Sequence, residues 1–265
     1  MFENLFHQLD ALHALAGMLV GILVGLTGVG GGSLMTPLLV LIFGVSPQTA
    51  VGTDLLFAAT TKIAGSAVHG WRETVDWRIM RRLAMGSIPA SVLTLLILST
   101  MGHLDKSAQQ EIMLALGVML LLTAVAVTFQ RKLIAFAMRR RPVQPEERRV
   151  VVPTVLLGAA IGVAVSVSSV GAGAIGVTAL LMLYPTLPVS RIVGTDIAHA
   201  VPLALVGGFG HWIIGDVDSL LLLNLLVGSI PGVIVGSLLS SRASDRWLRP
   251  ALVCVLLISG CKLLS

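Results

Sequence analysis

The chain has 265 residues, of which 55% are hydrophobic and only 12% charged, about half the charge of an ordinary soluble domain. With a mean hydropathy of +0.95, a soluble globular protein is excluded; low charge excludes disorder, and two cysteines cannot staple a chain of this length. An all-α polytopic membrane protein remains, and the placement of its formal +5 charge matters more than the sum.

Apolar stretches lie at about 14–43, 49–70, 82–99, 111–130, 150–184, 191–213, 219–240 and 248–264; roughly 20 apolar residues suffice to cross a bilayer. No Lys or Arg precedes the first stretch, unlike the start of a signal peptide, so it is expected to stay in the mature protein. Stretches 14–43 and 150–184 are too long for one plain helix. Small residues interrupt both, Thr27-Gly28-Val29-Gly30-Gly31-Gly32-Ser33 in the first and Ser166-Val167-Ser168-Ser169-Val170-Gly171-Ala172-Gly173 in the second. Irregular backbone is tolerated in lipid only where protein or a watery cavity satisfies it. After the first break, Thr36-Pro37 reads as N-cap and first residue of a half-helix ending at Phe43. Its free N–H groups near the midplane would suit an anion; close helix packing is the other use of such glycines. The series Gly17-Gly21-Gly25, Gly158-Gly162 and Gly228-Gly232-Gly236 repeat every four residues and are expected to be packing stripes.

The two halves of the chain repeat at an offset of 142 residues. Gly52-Thr53-Asp54 matches Gly194-Thr195-Asp196, and Thr36 matches Thr178. Gly65, His69 and Val75-Asp76 match Gly207, His211 and Val217-Asp218, and Gly86-Ser87-Ile88-Pro89 matches Gly228-Ser229-Ile230-Pro231. Three clusters hold 14 of the 18 cations: Arg72, Arg78, Arg81 and Arg82; Arg131 to Arg149; and Arg242, Arg246 and Arg249. Placed in the cytoplasm, they put equivalent loops of the two halves on opposite sides, the pattern of an inverted repeat. Both termini are then outside. An odd number of crossings is then needed between the N-terminus and Arg72, and again between Arg149 and Asp216, by a re-entrant hairpin plus one helix or by three short crossings. The expected division is residues 1–140 and 150–265, joined by a basic cytoplasmic linker at about 131–149.

Polar residues within the stretches are the candidates for chemistry. Gly-Thr-Asp opens an apolar helix in each half, with Ser46-Pro47 and Ser190 as upstream caps. A carboxylate inside a membrane segment is expensive and needs a partner or a pathway; Asp54 and Asp196 are either helix-terminus caps or functional groups. Thr53 and Thr195 can donate hydroxyls to a substrate. Lys62 is the one cation among the first 71 residues, and Ala204 stands at the equivalent place. It either snorkels to the interface or forms an asymmetric anion contact. His69 and His211 lie beside Trp71 and Trp212, and His199 follows Asp196 by three residues; interfacial anchoring and proton transfer or gating are the alternatives. Cys254 and Cys261 share a helix face and are expected to pack or touch lipid. No Walker A, H-E-x-x-H or G-x-S-x-G sequence is present, so neither ATP-driven pumping nor hydrolysis finds support.

Gly25-x2-Gly28-x-Gly30-Gly31-Gly32, then Pro37, Ala50-Val51-Gly52-Thr53 and His69-Gly70 resemble the sulfite exporter TauE/SafE family, also called the toluene sulfonate uptake permease family. Gly171-Ala172-Gly173, Val193-Gly194-Thr195 and His211 repeat the pattern in the second half. The resemblance implies a multi-pass prokaryotic inner-membrane transporter of small sulfur-containing anions such as sulfite or an organosulfonate. Asp54 and Asp196 depart from the small hydroxyl residues common in that family, and point to proton coupling or a less anionic cargo.

The expectation is therefore a proton-linked secondary transporter working by alternating access, with a passive anion channel, a membrane enzyme or an assembly component as alternatives. Substrate contacts are expected from Gly30, Gly31, Gly32, Thr36, Thr53, Lys62, Gly171, Gly173, Thr178 and Thr195. Coupling or gating is expected from Asp54, Asp196, His69, His199 and His211. The expected partners are a small anion and membrane lipid, with a homo-oligomer as an open alternative, and without nucleic acid, cofactor or metal.

Overall fold

The computed structural model describes residues 10–27, 32–69, 75–100, 106–139, 147–239 and 245–265. Apolar sequence without water to satisfy its backbone must close its hydrogen bonds within helices, and among the described residues there are ten, with no strand. They are α1 (Ala11–Thr27), α2 (Gly32–Leu41), α3 (Pro47–His69), α4 (Trp77–Thr100) and α5 (Lys106–Arg139). The second half supplies α6 (Glu147–Ser168), α7 (Ala174–Leu183), α8 (Val189–Ile214), α9 (Ser219–Leu239) and α10 (Asp245–Leu264). Five described segments are long and apolar enough to span a bilayer: Trp77–Thr100, Gln109–Gln130, Val150–Ser168, Val189–Ile214 and Ser219–Leu239.

The sequence repeat survives as a repeat of elements. Gly32 and Ala174, Pro47 and Val189, and Trp77 and Ser219 begin their helices at the shared offset of 142 residues. The short helices α2 and α7 have 10 residues each, about 15 Å at the usual rise, or half the hydrocarbon core.

Helices of one half pack chiefly on the other. The α1 helix packs on α9, and α4 on α6; α3 packs on α8 and α5 on α10. These pairings, with α3–α9 and α4–α8, map onto one another when the halves are exchanged. The glycine stripes make the closest approaches. A Cβ on Gly17, Gly21 or Gly25 would collide with the backbone of Leu225, Ser229 or Val233 on α9, and one on Gly228 with the Ala14 carbonyl. At the equivalent crossing, Gly158 and Gly162 lie against the carbonyls of Leu83 and Ser87, and Gly86 against that of Val155. Small residues let membrane helices touch backbone to backbone where no hydrophobic drive holds them together.

The apolar core is contributed by both halves: Met35, Leu39, Phe57, Leu116, Leu225 and Leu256 form one cluster, and Val51, Leu55, Ile161, Val165 and Leu203 another. Leu93, Leu96, Leu122, Val125, Leu238 and Ile258 face outward, as lipid-contacting surface does. At the start of α1, Asp10 Oδ1 accepts from the Leu12 N–H at 2.9 Å. That bond holds the exposed Asp10 carboxyl below its ordinary value, with His13 adding to the effect.

Three local expectations change. Helix α2 begins by Gly32, so Thr36-Pro37 lies inside it and is not its N-terminus; the interior proline forfeits one backbone bond. Pro188, not Ser190, caps α8, its fixed φ of −57° suiting the turn into the helix. Helix α5 continues to Arg139, because Arg131–Arg139 contains no glycine or proline to stop it. Ser46-Pro47 does open α3: Ser46 Oγ accepts from the Thr49 N–H at 3.3 Å.

Candidate functional site

The break between α6 and α7 is built by three residues with left-handed backbone, Ser169 (φ 56°), Gly171 (φ 127°) and Gly173 (φ 120°). Glycine takes such angles without a Cβ clash; a serine there is uncommon. The turn brings 169–173 into the interior beside α3. Gly30 and Gly31, in the first-half break, lie outside the described residues; Gly32 is the first residue of α2.

A cavity of about 20 Å³, room for about one water, lies between the two halves. Lys62 and Ala204 both line it, as do Ala58 and Ala200, so equivalent positions of α3 and α8 meet there. Its other polar walls are Ser33 on α2, Thr123 on α5 and Ser169, with Gly171 in the turn. Lys62 is thus a cation whose repeat counterpart, in the same wall, is an alanine.

Two carboxylates lie behind this wall. Asp54 is fully buried, and its Oδ2 accepts from Thr36 Oγ1 and, at 3.0 Å, from Ser169 Oγ of the other half. Asp196 is 1% exposed, and the backbone N–H of Gly173 and the Lys62 ammonium act on it. Lys62 also acts on Asp54. The Oδ1 atoms of both aspartates have no hydrogen-bond partner. Neither residue is a helix-terminal cap: Asp54 is in the second turn of α3, and Asp196 likewise in α8.

The remaining expected residues are placed as follows. Thr53 and Thr195 do not line the cavity. Thr53 Oγ1 accepts from the Asp218 N–H at 3.2 Å, and Thr195 Oγ1 from the Asp76 N–H at 2.8 Å. Asp76 and Asp218 in turn cap α4 and α9, accepting from Ile79 at 3.2 Å and Leu221 at 2.9 Å. Gly52 completes this joint, since a Cβ there would come within 2.7 Å of the Asp216 carbonyl. The Thr178 hydroxyl donates to the Ala174 carbonyl of its own helix at 2.7 Å.

Histidines 199 and 211 are interior groups. His199 is fully buried, with Nε2 2.7 Å from Ser87 Oγ and Nδ1 without a partner. His211 is 2% exposed, while its neighbour Trp212 is 53% exposed, which rules out interfacial anchoring for His211. Its Nε2 donates to the Ser166 carbonyl at 2.8 Å, and Nδ1 lies 3.3 Å from Asp216 Oδ2. The His69 side chain lies outside the described residues. Among those residues no cluster of His, Cys, Asp or Glu is arranged to hold a metal. Cys254 and Cys261 are free and exposed on α10.

The repeat does not single out Ser33, Thr123 or Ser169: Ile175 stands at the position equivalent to Ser33, and Ser265 and Thr27, equivalent to Thr123 and Ser169, close the last and first helices. The run of serines 166, 168 and 169 at the second break was the available signal.

The sequence pattern of the family described as "Sulfite exporter TauE/SafE" matches residues 13–263. The chain belongs to that family. It is 40% identical to "Probable membrane transporter protein YjnA" of Bacillus subtilis (strain 168) over 94% of this chain and 98% of that one. It is 29% identical to "Probable membrane transporter protein YdhB" of the same organism, over 93% and 96%. A "Probable membrane transporter protein" of Xylella fastidiosa (strain 9a5c) is 26% identical, over 86% and 84%. No solved structure matches. As a family member the chain is a multi-pass membrane transporter and not an enzyme.

Proposed function

We infer that the protein moves a small sulfur-containing anion, sulfite or an organosulfonate, across the membrane by proton-linked alternating access. The observation that carries this reading is Lys62, a cation lining a cavity between the halves where its repeat counterpart is Ala204. An ammonium in a low-dielectric wall attracts an anion far more strongly than one in water. The family name supplies the substrate class.

Charge balance supports the proton. Two buried carboxylates outweigh the one lysine ammonium that interacts electrostatically with both, so with both ionised the site repels an anion. A proton on either carboxyl removes that repulsion. Asp54 and Asp196 are the coupling groups in this reading. The buried His199 and His211 serve gating or proton transfer, with His69 their first-half counterpart. Gly171 lines the cavity, and Gly32 and Gly173 stand at the starts of α2 and α7, where the walls part to admit a group larger than one water. Thr53 and Thr195 act through the joints between halves.

The exchange-related helix pairings and the oppositely placed basic loops favour two inverted repeats whose short helices α2 and α7 re-enter near the midplane. Alternating access is then one half rocking against the other around the fixed cavity.

The test is a thermal-shift panel of sulfite, thiosulfate, taurine, sulfoacetate and sulfate on purified protein, followed by flux in proteoliposomes. A sulfur anion should raise the melting temperature, and an imposed pH gradient should drive that anion uphill. Stabilisation by none of them sinks the substrate class. Flux that dissipates a gradient but is never driven by protons leaves a passive channel.

A further inference from the structure

Among the polar walls of the cavity, Ser169 has two distinct neighbours. Its side chain borders the cavity that Lys62 also lines, and its hydroxyl donates to Asp54 Oδ2 at 3.0 Å. Asp54 itself does not line the cavity. A serine hydroxyl has one proton to donate. It can be given to Asp54 or to an anion beside Lys62, and not to both. The Ser169 backbone has a left-handed φ of 56°, a conformation uncommon in a non-glycine residue that persists only where surroundings enforce it.

We propose that Ser169 couples occupancy of the cavity to protonation of Asp54, by transferring its single hydrogen bond from the carboxylate to the anion. The proposal rests on the anion-transport reading of this cavity. As the anion enters, the Ser169 O–H turns toward it and the bond to Asp54 Oδ2 is given up. A carboxylate that loses a donor while an anion arrives nearby is more readily protonated. The proton comes from water and ends on Asp54; the anion is chemically unchanged. Release reverses both steps, so proton and anion load and unload together.

Other groups around Asp54 do not duplicate this role. Thr36, on α2, donates to the same oxygen but does not border the cavity. Lys62 acts on Asp54 from its own helix. From α8, Asp196 and the buried His199 interact electrostatically with the same Lys62. Helices α2 and α9 carry no titratable side chain, and those of α5 and α6 are confined to the parts near their ends.

The experiment is calorimetric titration of the full-length protein in nanodiscs with thiosulfate or methanesulfonate, anions whose charge is constant around neutral pH. Repeating each titration in two buffers of different ionisation enthalpy counts the protons taken up per anion. The variants are Ser169→Gly, which removes the hydroxyl while suiting the left-handed backbone, and Ser169→Asn, which keeps a donor and tolerates that backbone. Wild type is expected to take up close to one proton per anion, and Ser169→Gly to bind with that uptake cut by about half or more. Ser169→Asn should recover part of the loss, and Asp54→Asn should abolish the uptake assigned to this site. Anion binding by Ser169→Gly with wild-type proton uptake overturns the proposal alone. Failure of the wild-type protein to bind either anion overturns the transport reading and this proposal with it.

Discussion

Thr195 on α8 accepts a hydrogen bond at 2.8 Å from the backbone N–H of Asp76, which lies 119 positions earlier in the chain. Adding the repeat offset gives the second joint, Thr53 with Asp218. Each threonine in the Gly-Thr-Asp motif therefore receives the N-cap residue of a helix from the other half. The aspartate that follows it points into the interior. One tripeptide thus does two things: its hydroxyl clamps the halves together, and its carboxylate belongs to the centre.

Thr53→Val and Thr195→Val keep the side-chain shape and remove the acceptor. Both sites are buried, so each change leaves an N–H unpaired and is expected to cost about 1 kcal/mol. The two joints are separate, so the double variant should lose about the sum. Thr→Ser at either site should retain most of the stability. Thermal melting in detergent measures the effect; wild-type melting of the double variant would remove the joints from the account.

A second expectation concerns the glycine crossings. A methyl on Gly228 would meet the Ala14 carbonyl, a backbone atom that cannot yield without moving α1. On Gly260 it would meet the flexible Leu121 side chain at 3.0 Å, with the Gly117 carbonyl no closer than 3.2 Å. Gly228→Ala is therefore expected to destabilise by about 1–3 kcal/mol through overpacking, and Gly260→Ala by much less. Monodisperse yield and melting temperature compared side by side decide it. Equal behaviour of the two variants would contradict the backbone contact.

The fold was legible in the sequence to the extent that polar and small residues recurred at one offset. Leucine repeats carry little information in a membrane chain, whereas Val75-Asp76 recurring as Val217-Asp218 does. What that recurrence could not disclose is the partner, because the joints connect residues 119 and 165 positions apart. Lys62 and the paired aspartates stood out because charge in lipid is costly. Ser169 did not, since its importance comes from a backbone angle that an L-residue seldom adopts and from a cavity assembled by separate helices. The burial of His211 next to an outward Trp212 depends on helix rotation, which neighbouring residues alone do not set.

The inverted arrangement makes opposite demands on equivalent residues. Trp77 and Ser219 open α4 and α9 at matched positions, and both are exposed. In a background with Cys254 and Cys261 replaced by serine, Trp77→Cys should react with an impermeant thiol reagent only from the cytoplasmic side. Ser219→Cys should react only from the outside. Labelling of both from one side would exclude inversion whatever the helix pairings.

The last expectation uses the equivalent pair of positions in the cavity wall. Lys62 and Ala204 occupy equivalent positions, and both line the same space. Lys62→Met keeps the apolar stem and removes the charge, and should weaken sulfur-anion binding by at least about tenfold, or 1.4 kcal/mol. Lys62→Ala combined with Ala204→Lys moves the cation across the cavity without changing the composition of its wall. If the ammonium acts as an anion contact, the exchanged protein should recover part of the binding lost in Lys62→Ala alone. If Lys62 matters only for packing at its own place on α3, the new lysine on α8 restores nothing. The measurement is anion affinity by titration, with melting temperature as the check on folding. A well-folded Lys62→Met protein that binds sulfur anions with wild-type affinity would remove Lys62 from the site.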